Sequence, residues 1–382
     1  MRFLLYTHSL ISDWNHGNAH FLRGILRELA ARSFETLALE PEDGWSRSNL
    51  IREQGAAAAD SFGETFPDLI VRTYDAAFDH EAALAAADVV LVHEWTDPGL
   101  VARIGTARRC GGDFTLLFHD THHRAVSAER SIADLLLADY DAILAFGDTL
   151  RQRYLAAGWA DQVFTWHEAA DITLFKPPAE RASAERASGR DLVWIGNWGD
   201  GERTRELETF LIEPCRRLGL SGTVRGVRYP DEALAQLRAA GLAYGGWIAN
   251  VDVPAAFAAH RVTMHVPRRP YVESLPGIPT IRMFEALACG IPLVSAPWSD
   301  AENLFRTGQD YLSVASGDAM KTALAAVLND PDLAASLSRS GIETIRARHT
   351  CGHRVDELLA VLRRIGTERV RRQLPGEQEA AE

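Results

Sequence analysis

The stretch Pro276-Gly277-Ile278-Pro279-Thr280-Ile281-Arg282-Met283-Phe284-Glu285-Ala286-Leu287-Ala288-Cys289-Gly290-Ile291-Pro292 decides how this chain folds. Residues 280–289 read as a helix. Pro279 suits its first turn, and Gly290 suits the left-handed residue past its end. Residues 293–295 follow as a strand. A helix N-terminus exposes unpaired N–H groups and a partial positive charge, so it can bind phosphate. Arg282 and Glu285 stand at i and i+3 and share one face. Such an arginine can grip a phosphate while the carboxylate accepts hydrogen bonds from two ribose hydroxyls. The same spacing also fits a surface ion pair on an ordinary helix.

Outward from this stretch, strand, loop and helix repeat. Short β-rich runs fall at 3–7, 36–39, 69–73, 89–93, 114–119, 142–146 and 163–166. After a break they resume at 192–196, 223–227, 262–266, 292–295 and 311–314. Between the first two, Phe21, Leu22, Ile25, Leu26 and Leu29 recur at helical spacing and form one apolar stripe. Strands alternating with helices imply parallel sheets covered on both faces. The break is Phe175-Lys176-Pro177-Pro178 and the Ala/Ser/Glu/Arg run after it, which reads as a linker over 175–190. The expected organisation is an N-terminal Rossmann-like domain, 1–174, and a second one, 191–350. They are joined once, and a helix and frayed tail, 351–382, end the chain. Two such halves suggest a central cleft at the strands' carboxyl ends.

Composition narrows the function. The 382 residues carry 40 Lys+Arg against 52 Asp+Glu, a net charge of −12. That balance argues against broad nucleic-acid binding, which needs a basic footprint. It leaves room for a small anionic ligand at a local positive site. Lys176 and Lys321 are the only lysines and look peripheral, so any side-chain cation on a phosphate should be an arginine. The four cysteines are widely spaced and suggest neither a disulfide framework nor a zinc site. No apolar run nears the roughly 18 residues of a membrane span, and the N-terminus lacks a signal-like apolar region. The expected location is the cytoplasm, without membrane insertion.

Three further clusters sit where strands end. Ser12-Asp13-Trp14-Asn15-His16-Gly17-Asn18-Ala19-His20-Phe21-Leu22-Arg23 follows the first strand; Gly17 permits close backbone approach and Asn18 is a good helix cap. His16 and His20 are spaced as a metal pair, but no third ligand is evident. Phe118-His119-Asp120-Thr121-His122-His123 ends another strand; a solvated loop is the plain alternative. Trp194-Ile195-Gly196-Asn197-Trp198-Gly199-Asp200-Gly201-Glu202-Arg203-Thr204-Arg205 opens the second half with a strand and a glycine-rich loop. It lacks the GxGxxG pattern, so no dinucleotide fingerprint is present.

The run RMFEALACGIPLVS at 282–295 resembles the signature of GT-B glycosyltransferases, especially the spore-maturation (CgeB-type) group and glycosyltransferase group 1-like relatives. Ser12, Trp14, Gly17, Ala19 and Arg23 resemble that group's N-terminal pattern. The resemblance implies an α/β GT-B fold, two Rossmann-like domains facing a cleft. It also implies sugar transfer from a nucleotide diphosphate sugar to an acceptor hydroxyl, retaining and without a metal or other cofactor. Glu285, expected to face the open cleft, would hold the donor's ribose, and Arg282 would meet the diphosphate. Arg203 or Arg205 would add a phosphate contact, Gly17 and Asn18 would line the ligand side of the first half, and His119 would face the donor sugar. The acceptor and the oligomeric state stay unspecified. One departure stands out: many related retaining enzymes carry a second glutamate eight residues before the position of Glu285, and here that position is Gly277. Two rivals stand beside it: a GT-B-type nucleotide-sugar epimerase, which would need an acid/base pair at the sugar that is not evident, and a non-catalytic nucleotide-sugar-binding protein, which the departure keeps open.

Overall fold

The structure, a computed structural model, describes residues 1–178, 189–199 and 201–374. Most of the run read as a linker, residues 179–188, lies outside them. The chain forms two compact units. The first is Met1–Glu168 together with the chain from Cys351 onward; the second is Ala169–Thr350. Residues 169–174 therefore group with the second unit, and the terminal helix is part of the first. The chain enters the second unit and returns, so the halves are joined twice rather than once.

In the first unit seven strands form one parallel sheet. They are β1 (Arg2–Tyr6), β2 (Glu35–Pro41), β3 (Val71–Tyr74), β4 (Val89–His93), β5 (Thr115–Asp120), β6 (Ala142–Ala145) and β7 (Val163–Thr165). Their order is β3-β2-β1-β4-β5-β6-β7. The stripe seen in the sequence is the buried face of helix Ala19–Ala31. Helix Cys351–Ile365 docks on this unit: Trp166 Nε1 donates to the Arg354 carbonyl at 2.7 Å. Residues 367–373, part of the tail expected to fray, form a capped helix, and residues 375–382 lie outside the described ones. Thr367 caps helix Glu368–Gln373, and Arg369 pairs with Asp88 at 2.5 Å.

The second unit holds a six-stranded parallel sheet: β8 (Arg190–Ile195), β9 (Gly222–Arg225), β10 (Leu242–Tyr244), β11 (His260–His265), β12 (Leu293–Ser295) and β13 (Leu312–Ser313). The order is β10-β9-β8-β11-β12-β13. The sequence reading missed β10, whose three residues are too few to show a period. Successive strand side chains point to opposite faces. Leu192 and Trp194 enter one apolar core while Val193 and Ile195 enter another, so both faces are covered. Helix Ile281–Ala288 lays Met283, Phe284, Ala286 and Leu287 into the second core. Burial of each large side chain there stabilises by about 1.5–3 kcal/mol. Thr280 is the cap residue, which puts Pro279 outside the helix, and Gly290 takes the left-handed conformation after it, with φ +62°.

Candidate functional site

In the second unit, β8 has β9 on one side and β11 on the other. Chain order reverses there, so the loops leaving β8 and β11 diverge and open a crevice at the strands' carboxyl ends. Arginines fill it. Arg203 is buried; its Nε donates to the Asn197 carbonyl at 3.1 Å and its Nη1 to the Val266 carbonyl at 3.1 Å. It thereby ties the loop after β8 to the end of β11. Arg268 follows on that second loop and pairs with Glu202 at 2.5 Å. Burial, then the fields of Arg268 and Arg282, lower the Arg203 guanidinium to about 9. The charges of Arg268 and Arg282 thus reach Arg203, and an anion bound beside it would offset them.

Arg282 and Glu285 form an ion pair on the first turns of helix Ile281–Ala288. Glu285 has no exposed surface and Arg282 keeps 14%. The sequence reading expected the carboxylate to face an open cleft; it is instead closed off from solvent. It faces inward on a helix whose residues 283–288 are all buried. The loop before this helix explains the missing glutamate. Gly277 has φ +92°, a conformation that side chains other than glycine's rarely adopt, and a Cβ there would lie 3.2 Å from Glu302 Oε1. His265, at the end of β11, bonds Ser295 Oγ at 2.8 Å and is held neutral by burial and by Arg203, its pKa lowered to about 3.

In the first unit the reversal falls at β1, between β2 and β4. The loop after β1 is held from below by Glu40, which accepts from the N–H groups of Leu10 at 2.5 Å and Ile11 at 2.9 Å. Arg23 is buried, pairs with Asp13 at 3.1 Å and stacks over Phe66 at 4.6 Å. Ser12 bonds Ser46, and Trp14 Nε1 donates to Glu53 at 2.7 Å. Beside this loop four imidazoles stand in a row, His8, His16, His93 and His119, with successive ring centroids 5.1, 5.8 and 5.6 Å apart. Burial drives the pKa of each one down. His93 Nδ1 lies 2.8 Å from a Glu94 carboxylate oxygen, and Tyr154 donates to Asp120 at 2.7 Å. Burial raises both carboxyls to about 7.

Residues 203–360 match the family model described as glycosyl transferase-like. No curated protein matches the chain. Among solved structures, sucrose-phosphate synthase from Thermosynechococcus elongatus is similar at TM-score 0.66 and 15% identity, over 95% of this chain and 98% of that one. HepE from Anabaena, solved with UDP and glucose, also gives 0.66 and 15%, over 95% and 99%. An α-glucosyltransferase solved with UDP and a DNA containing an HMU base gives 0.66 and 11%, over 95% and 99%.

The chain has the GT-B fold, and its residues 203–360 match a glycosyl transferase-like model. In the second unit the sequence pointed to Arg203, Arg282 and Glu285 for a phosphate and ribose site; Arg203 and Glu285 are buried and Arg282 is half-buried. Arg205, its alternative to Arg203, is exposed. In the first unit Asn18 starts helix Ala19–Ala31 but makes no side-chain cap bond; its amide is buried without a partner. Gly17 is half-buried beside it, and its carbonyl meets His20 Nδ1 at 3.2 Å. His16 bonds the Ser9 carbonyl at 2.8 Å. Among the described residues no group of three or more His, Cys, Asp or Glu could hold a metal ion. His119 is fully buried, walled by Trp166 at 4.8 Å and Phe21 at 6.1 Å, and neither ring nitrogen has a partner. It sits on a strand with two neighbours, inside the core, and touches no open surface. His8, at the other end of the imidazole row, is the ring that reaches a cavity. Arg268 and His8 were missed, although each lies within two residues of an expected strand's end. Attention to the first residues past each strand end would have found them. Among the described residues no helix is long and apolar enough to cross a membrane.

Proposed function

We propose that the enzyme moves a sugar from a nucleotide diphosphate sugar to an acceptor hydroxyl, in the cytoplasm, with retention and without a metal ion. The observation that carries this reading is that the loops after β8 and β11 and the first turn of helix Ile281–Ala288 each bring an arginine, Arg203, Arg268 and Arg282, whose charges reach one another. The second unit takes the donor: the arginines and the helix N–H groups meet the diphosphate, and Glu285, once Arg282 turns to phosphate, accepts from the ribose. The bond from the anomeric carbon to the phosphate oxygen breaks, and a bond to the acceptor oxygen forms. The acceptor proton passes to the leaving phosphate. Charge growing on that phosphate is met by fixed guanidinium groups, which replaces the need for a metal. Retention follows the α-glucosyltransferase among the structural relatives, and a CgeB-type affinity follows the pattern at 12–23. Gly17 and Asn18 belong to the loop that borders the ligand side of the first unit. His119 acts behind His93, supporting its ring rather than touching substrate.

UDP is the first nucleotide to test, because HepE and the α-glucosyltransferase were solved with it. A thermal-shift panel of UDP-, GDP-, ADP- and dTDP-sugars should show one that stabilises the protein. A ligand at 100 times its Kd adds about 2.7 kcal/mol. If none of the four shifts the melting temperature, the donor reading fails. Turnover of the winning donor only in the presence of an acceptor, beyond slow hydrolysis, separates a transferase from an epimerase or a binder.

A further inference from the structure

The first unit contains a cavity of about 1040 Å³ at the carboxyl ends of β1 to β4, built wholly from that unit's own residues. It is at the upper end of the range for small-molecule sites, enough for an oligosaccharide segment rather than one sugar ring. Its walls have three properties that an ordinary surface hollow lacks.

The first is aromatic exposure. Trp45 and Trp95 line the cavity and keep 46% and 44% of their surface open. Neither ring is loose: Trp45 packs edge-on to Trp14 at 4.9 Å, and Arg124 stacks on Trp95 at 4.0 Å. Held apolar rings in a hollow suit the C–H faces of sugars and the flank of a cation. The second is charge. Glu42, Asp43, Asp75 and Asp97 line the cavity against a single cation, Arg103. Among the described residues neither Glu42 nor Asp43 enters an ion pair, and Asp97 and Asp75 each use one oxygen on a backbone N–H at 3.0 Å. The two lining imidazoles do not offset this. Burial, then His93, lowers His8 to about 4, and burial, then Arg103, lowers His80, so both are neutral near pH 7. The third is an unspent hydroxyl. Thr96 lines the cavity, is buried, and its Oγ1 has no hydrogen-bond partner. A buried hydroxyl left unpaired costs free energy that a ligand hydroxyl would recover.

We infer that this cavity binds the acceptor, and that the acceptor is a carbohydrate bearing at least one protonated amine. The assignment of an acceptor role rests on the transferase reading; the chemistry of the ligand rests on the cavity alone. The ammonium group meets Glu42 and Asp43, the sugar faces lie on Trp45 and Trp95, and ring hydroxyls reach Thr96 and His8. Acidic acceptors such as uronic acids or sugar phosphates are repelled by the same carboxylates.

The test compares a glucosamine trisaccharide with its fully N-acetylated counterpart, which has the same backbone and no charge. Both are titrated by calorimetry, without donor, in mildly acidic buffer where sugar amines are protonated. The amine form should bind at least about tenfold more tightly, and added salt should erode that margin. In the variant Glu42→Gln/Asp43→Asn the margin should vanish while the N-acetylated form binds as before. Both positions are exposed, so the fold is not at stake. Equal binding of the two trisaccharides, or a margin that survives the double variant, overturns the inference. The UDP-sugar thermal shift on the same samples separates the two readings. A normal shift with no preference for the amine sinks the acceptor chemistry alone. A clear preference with no shift from any nucleotide sugar supports the cavity's ligand class and sinks the transferase reading.

Discussion

The two units share a topology and differ in what stands at its reversal point. In the second, Arg203 and Arg268 follow β8 and β11, with Arg282 on the helix beyond, and the buried Arg203, lowered to about 9, stays charged near pH 7. In the first, β1 and β4 lead into His8 and His93-Glu94, whose pKa values burial moves toward neutral forms. The same scaffold thus presents a fixed cationic site on one side and a set of neutral rings and carboxyls on the other. The difference teaches that the fold supplies only the crevice. A handful of residues just past the strand ends decides whether it suits an anion or a cation. It also removes the apparent objection of a net charge of −12, because the sign of a site is set locally.

Arg282→Ala should have the largest effect. It leaves the buried Glu285 without its cation, and breaking a buried pair costs about 3–5 kcal/mol. On the proposed donor reading it also removes a phosphate contact. Urea denaturation should show the loss, and UDP-sugar binding should disappear. Replacing both partners, as Arg282→Met/Glu285→Leu, should restore most of the stability but none of the binding. A single variant as stable as wild type would mean that the pair anchors nothing, and the contrast between the units would lose its firmer half.

The neutral side is tested by pH. Asp120 is raised to about 7, by burial first and then by Glu94. Between about pH 4, where it ionises when unfolded, and about 7, the folded chain holds a proton that the unfolded chain has lost. Its contribution to stability is therefore full below pH 4 and lost as pH rises through about 7. His8 and His93, lowered to about 4 and about 3, act in the other direction: their contribution is present above about 6.5 and lost as pH falls. An asparagine in place of Asp120 has no proton to lose. Measured by thermal denaturation, Asp120→Asn should gain on wild type, by several degrees, as pH rises from about 5 to about 8. A gap that does not change with pH would show that Asp120 is charged in the fold.

The parallel sheets were legible because β4 and β8 carry short apolar runs, residues 89–92 and 192–195, in alternation with helical stretches, a pattern independent of distant contacts. Arg282 and Glu285 were legible because i, i+3 spacing fixes neighbours within one turn. The burial of Glu285 was not, since it depends on what the rest of the second unit lays over the helix. His119 shows the same limit. A polar residue at a strand end looks like a site residue until Trp166 and Phe21, from remote parts of the chain, close around it. The acidic cavity escaped because its walls come from four separate loops, each of which reads alone as an ordinary turn.

The smallest expected effect concerns the missing glutamate. If the cationic crevice lacked only a side chain, Gly277→Glu would supply one and strengthen donor binding. The backbone argues otherwise. At φ +92° a side chain carries a penalty of about 1–2 kcal/mol, and its Cβ would stand 3.2 Å from the Glu302 carboxylate, which repels a second negative charge. The Gly277 N–H also donates to the Ser299 carbonyl at 2.7 Å, holding the loop in that conformation. Gly277→Glu should therefore lose about 1–2 kcal/mol in urea denaturation and gain no affinity for the UDP-sugar. Gly277→Ala separates the two causes, since it carries the backbone penalty without the charge. If Gly277→Glu instead bound donor more tightly, the loop would be pliable. The second unit would then read the donor with a carboxylate at position 277 as well, and arginine alone would no longer define its half of the contrast.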